Sequence, residues 1–167
     1  MKNKDVSNTR FKLEEARFFF KKMKESLQNR EEFSYYLDAF LAIARSVTDV
    51  FKSEFHENNL LMKLYNGKKE AWKESKIMKS FWELRNKSIH EQSPDTRTRV
   101  ASDFKEHCIS SPLPLEVRGT EVLGYHFIHN FKWLNEIPDV VSLCKQYLDE
   151  LESFVSEVEK AVAKKKE

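Results

Sequence analysis

The amino-acid sequence predicts an all-α fold: an up-and-down bundle of four to five helices, with a small loop or β-hairpin insertion at about 94–136 before the last long helix. Three observations predict it. Only 3 of 167 residues are glycine while 34% are charged, a balance that suits long helices and not a glycine-rich sandwich or barrel. Apolar residues recur at three- and four-residue steps over long stretches. Three of the four prolines and two of the three glycines fall within 94–136, which marks that stretch as different in kind. The length suits a single domain, residues 1–167, with enough chain to bury a sizeable core.

The first helix is expected over about 9–28, where Phe11, Ala16, Phe19, Phe20, Met23 and Leu27 recur between lysines and glutamates. Asn29 is a suitable cap for a second helix over about 30–56, with Glu32 three positions on completing a capping-box-like start. That helix carries one continuous stripe: Phe33, Tyr36, Leu37, Phe40, Leu41, Ala44, Val47, Phe51 and Phe55. Such a stripe must be buried, because packing supplies most helical stability. Glu57-Asn58-Asn59 and Asn66-Gly67 read as punctuation, with a short helix between them built on Leu60, Leu61, Leu64 and Tyr65. A third long helix is expected over about 68–89, carrying Ala71, Trp72, Ser75, Met78, Phe81, Trp82 and Ile89. The last spans about 138–162, opening at Pro138 and striped by Val141, Cys144, Tyr147, Leu148, Leu151, Phe154, Val155 and Val158. Within the insertion, Leu115-Glu116-Val117-Arg118 and the run Glu121–Ile128 flank Gly119-Thr120 as a hairpin would.

A net charge of +2 neither demands nor excludes a nucleic-acid partner. Cys108 and Cys144 form no Cys-x-x-Cys pair and read as free thiols of a reducing compartment. The first residues lack an apolar signal core, and no stretch approaches the roughly 20 apolar residues of a membrane span. A cytoplasmic location without membrane association is the expectation.

The chemistry concentrates in Phe81-Trp82-Glu83-Leu84-Arg85-Asn86-Lys87-Ser88-Ile89-His90. Arginine grips phosphate through its planar fork, and histidine moves a proton near neutral pH. Together they suffice to cut RNA without a metal. On an unbroken helix, positions 85 and 90 lie about 140° apart. For Arg85 and His90 to converge, the helix must break or a second subunit must supply the partner. Pro94 disfavours helix at Ser93, so a break within 88–93 is one solution. The plain alternative is a surface arginine with a histidine that favourably meets the helix dipole.

Long antiparallel helices with Arg85-Asn86-x-x-x-His90 closing the third resemble the HEPN superfamily, whose signature is Arg-x(4–6)-His with a polar residue directly after the arginine. The resemblance covers about Thr9 to Val162, apart from the insertion. It implies a metal-independent endoribonuclease without a cofactor, acting on RNA as a homodimer with a composite site, in a toxin, defence or stress role. Arg85 would stabilise charge on the scissile phosphate. His90 would act as general base or acid, and Asn86 would orient the arginine or the phosphate. Attack by the 2′-hydroxyl would leave a 2′,3′-cyclic phosphate. The resemblance also brings a protein inhibitor, such as a nucleotidyltransferase antitoxin, as a partner class. Members paired with that antitoxin often carry a tyrosine two residues past the histidine, where Gln92 stands here. The alternative within the same fold is a catalytically inactive module that binds nucleic acid or protein. A purely structural helical interaction protein is the third reading.

Lys79 and Lys87, with Arg97 and Arg99 beyond them, extend a basic strip that begins at Lys68 and leads towards this group. They form a track for an RNA backbone or, with Glu70, Glu74 and Glu83 interleaved, an ordinary solvated face. Trp72 and Trp82 are expected in the core. His126 and His129 would point to opposite faces of a strand, and nothing nearby completes a tetrahedral set, so no metal site is expected.

Overall fold

The computed structural model describes residues 7–90, 96–102, 105–109, 121–127 and 139–164, with the backbone alone for 7, 87–90, 97–102, 105–109 and 121–123. The elements run in the order α1 (Ser7–Glu25), α2 (Arg30–Phe55), α3 (Asn59–Glu74), α4 (Lys76–His90), β1 (Thr96–Ser102), β2 (Lys105–Ile109), β3 (Glu121–Phe127) and α5 (Val140–Ala163). The fold is a helical bundle, as the sequence predicts, with α1 packed along α2 and α5, and α4 against α2, α3 and α5.

Each long helix begins at a side chain that satisfies an otherwise orphaned N–H. Asn29 accepts from the Glu32 amide, Asn58 from Leu61 and Asp139 from Ser142. The start of α1 has a remote cap instead. The buried Glu54 carboxylate of α2 accepts the Thr9 amide at 3.0 Å and the Thr9 hydroxyl at 2.6 Å, so α2 holds α1 by its first turn.

The α2 stripe is buried from Phe33 to Phe55, with only Tyr36 partly exposed. It meets the α5 stripe in an aromatic centre: Phe154 packs edge-on against Phe51 at 4.9 Å and Trp72 at 5.4 Å, and Tyr147 stacks on Phe81 at 4.5 Å. Arg10 and Arg17 of α1 pair with Glu152, and Arg10 also reaches Glu159, which laces α1 to α5 at the surface.

Several expectations are corrected. The helix expected over 68–89 is two helices, because Ser75 adopts an extended conformation (ψ 112) between them. Its amide donates to the Trp72 carbonyl, while its hydroxyl accepts from the Met78 amide. One residue thus ends α3 and starts α4. Asn66-Gly67 does not interrupt the chain. The buried face of Leu61, Tyr65 and Trp72 carries α3 through it, outweighing the roughly 1 kcal/mol cost of an internal glycine. Phe11 and Leu60 leave their expected core positions and stand exposed at 67% and 54%, and Leu13 takes the inward place on α1.

The described strands of the insertion form a three-stranded antiparallel sheet in the order β2-β1-β3, one strand more than the hairpin expected. β3 occupies the expected second arm, and the first arm, 115–118, lies outside the described residues. The sheet docks through β3. Tyr125 stacks on Phe33 at 3.9 Å and donates its hydroxyl to the Leu27 carbonyl at 2.9 Å, while Phe127 meets Phe81. Gly124 permits the approach to α5: a Cβ there would lie 2.7 Å from Asp139 Oδ1. That same oxygen accepts the Tyr125 amide at 3.4 Å.

Candidate functional site at the end of α4

α4 presents Met78, Phe81 and Leu84 to the core, each at most 1% exposed. This orientation leaves Trp82 and Arg85 half-buried at the margin and Asn86 exposed beyond them. Trp82, Arg85 and Asn86 follow at three- and four-residue steps and share one side of the helix.

Arg85 donates from Nη1 to Asn86 Oδ1 at 3.2 Å. Its Nε is buried and has no hydrogen-bond partner among the described residues, and no carboxylate there pairs with it. A guanidinium with a buried, unspent donor is costly to leave unpaired and is equipped to receive an anion. Asn86 holds one arm of the fork from the solvent side.

His90 is the last residue of α4, and the helix is continuous from Arg85 to His90. No break separates the two within one chain, and positions 91–93, where a later break was also expected, lie outside the described residues. Arg85 and His90 therefore stand about 140° apart around α4. Of the other expected contacts, Lys79 is exposed two turns before Asn86, on the same face. Lys87 sits in the last turn of α4. Arg97 and Arg99 lie on β1, in register with His126 and Gly124 of β3. The side chains of Lys87, His90, Arg97 and Arg99 lie outside the described residues.

Two residues that the sequence did not assign to this place come to it from other helices. Arg45 of α2 sets its guanidinium over the Trp82 ring, 5.8 Å from the centroid. Tyr147 of α5 is 2% exposed beneath Phe81. Burial pushes the Tyr147 phenol well up, Arg45 and Arg85 pull it back, and Asp49 adds to the rise. The Arg85 face is thus a junction of α2, α4 and α5. Helical periodicity predicts that Tyr147 is buried, but nothing along the chain links positions 45, 85 and 147.

Elsewhere the described residues offer little chemistry. Trp72 is in the core, as expected, and donates its indole N–H to Glu150 at 3.3 Å. Cys144 is fully buried, and burial, with Asp139 adding its charge, pushes its thiol well up, which makes it a poor nucleophile. His126 is buried on β3 and bridges by its backbone to Asp139, while His129 lies outside the described residues. Among the described residues no three His, Cys, Asp or Glu side chains gather as metal ligands, and no helix is long and apolar enough to cross a membrane. No protein-family model, curated protein or solved structure matches the chain.

Proposed function

We propose that the protein is a HEPN-type, metal-independent endoribonuclease that acts as a homodimer. The observation that carries this reading is the Arg85-Asn86 pair at the end of α4, with a buried guanidinium donor left unspent and His90 closing the same helix. Arg85 binds the non-bridging oxygens of the scissile phosphate and stabilises the charge that grows on them. The 2′-hydroxyl attacks phosphorus as a histidine takes its proton. The 2′-oxygen–phosphorus bond forms, the bond to the 5′-oxygen breaks, and the imidazolium so formed returns a proton to the leaving 5′-oxygen. The products are a 2′,3′-cyclic phosphate and a 5′-hydroxyl, and DNA is not cut.

The continuity of α4 supports a composite site. One chain separates Arg85 from its own His90, so the working pair is Arg85 of one protomer with His90 of a second copy. Two copies related by a two-fold axis form two such pairs. The role in defence, toxicity or stress, inhibition by a nucleotidyltransferase-type antitoxin, and a cytoplasmic setting belong to the same proposal.

The same separation favours a second reading if the protein is a monomer: a HEPN-like module that binds nucleic acid or protein without cutting it. Incubating mixed-sequence RNA in EDTA with wild type and with His90→Ala, prepared identically, tests the first reading. Cleavage by wild type alone, ending in cyclic phosphate, supports the nuclease. Absence of cleavage by a folded dimer leaves the binding module.

A further inference from the structure

Arg45 stands forty positions before Arg85, on another helix, yet its guanidinium lies over Trp82, one turn before Arg85 on the same side of α4. Among the described residues the local charge is poorly balanced. The nearest described carboxylate to Arg45 is Asp49, at 3.8 Å, and Asp49 is held more closely by Lys52 at 2.6 Å. Arg45 commits Nη1 to the Thr48 hydroxyl at 2.5 Å, a neutral acceptor. Arg85 has only the neutral Asn86 oxygen among the described residues. Among the described residues, Arg45 thus has one distant, already engaged carboxylate and Arg85 has none, at the edge of an apolar core where charges interact more strongly than in water.

An anion relieves that imbalance. Arginine forks suit phosphate oxygens, and an arginine lying on a tryptophan face has its fork pre-organised. The Arg45 side chain keeps 29% of its surface exposed, and Trp82 is partly exposed. The arrangement of charge beside an aromatic plane is the one that holds single-stranded nucleic acid, with charge on the backbone and a ring beside the base.

We infer that Arg45 is a second phosphodiester-binding residue of the α4 site, holding a phosphate next to the one gripped by Arg85. This rests on the RNA reading above. Arg45 is a positioning residue: it fixes the register of the strand and takes no part in bond making. Asp49 competes with that phosphate for the Arg45 guanidinium.

The test uses the full-length protein and a fluorescent 2′-O-methyl RNA 12-mer of mixed sequence, which lacks the free 2′-hydroxyl and cannot be cut. Affinity is measured by anisotropy over a range of salt concentrations for wild type, Arg45→Gln and Asp49→Asn. Arg45→Gln is expected to weaken binding about tenfold and to reduce the magnitude of the salt slope by about 0.7, one single-strand phosphate contact. Asp49→Asn, an exposed change, is expected to tighten binding a few-fold. Were Arg45→Gln to misfold, Asp49→Asn would decide alone. Wild-type affinity and slope in folded Arg45→Gln, no tightening in Asp49→Asn, or no binding by wild type would each overturn the inference. Cleavage of ordinary RNA is followed in parallel. An Arg45-dependent affinity without cleavage removes the nuclease reading and keeps Arg45, while cleavage without an Arg45 effect on binding does the reverse.

Discussion

Arg85 and Asn86 are joined by one hydrogen bond, Nη1 to Oδ1 at 3.2 Å, while Arg85 Nε stays buried and unpartnered among the described residues. Neighbours on a helix point 100° apart, and the exposed Asn86 reaches Arg85 from the solvent side. Under the proposed function, the free energy stored in that unspent donor is recovered when a phosphate arrives.

Arg85→Ala is expected to reduce RNA cleavage about 100-fold or more, the usual consequence of removing an oxyanion-stabilising donor. Arg85→Lys keeps the charge and loses the fork, so it should recover only a small part of the rate. Single-turnover cleavage beside a melting curve checks both, and a melting temperature near that of wild type separates a chemical loss from an unfolded site.

Gly124→Ala should destabilise the protein by about 1–3 kcal/mol, because the added Cβ lies 2.7 Å from the Asp139 carboxylate that caps α5. Asp139→Ala removes that cap at a cost of about 1 kcal/mol. Both contacts pass through one carboxylate, so the double variant should lose less than the sum of the two. Urea unfolding of the three variants gives the answer.

Glu54→Ala should cost about 1–3 kcal/mol, since it strands the Thr9 amide and hydroxyl at the start of α1. Hydrogen exchange should quicken first in the opening turn of α1, with the α2 interior little changed.

Acid should loosen the α1–α5 lacing. Burial pushes the Glu152 carboxyl up, but hydrogen bonding and charge from Arg10, with the charge of Arg17, outweigh it and hold the group below the usual carboxylate range. The stability it contributes is complete above the unfolded value of about 4.3 and is lost as pH falls through the lower folded value. Glu152→Gln is expected to flatten the urea midpoint across that acidic window, and high salt should reduce the difference between the two proteins.

What could be read along the chain, and what could not, divides by the range of the interaction. The α2 stripe was legible because nine apolar residues keep one helical period and all answer to the same core. The α3–α4 break was not, because Ser75 is neither glycine nor proline and ends one helix with the groups it uses to begin the next. Phe11 stands five positions before Ala16, about 140° round α1 from it, whereas Leu13 keeps the three- and four-residue steps to Ala16, Phe20 and Met23, so the period itself favours Leu13 for the buried place. Arg85, Asn86 and His90 stood together in sequence and invited notice. Arg45 and Tyr147 reach the same place through the crossing of α2, α4 and α5, a relation that no single helix encodes.

The composite site is tested most directly by mixing two inactive variants. Arg85→Ala and His90→Ala are each assayed on RNA in EDTA, then combined in equal amounts under conditions that let subunits exchange. In a mixed dimer one of the two sites pairs an intact Arg85 with an intact His90, so activity should return to about a quarter of wild type. Two inactive variants that stay inactive after proven exchange would contradict a site shared between two copies of the chain.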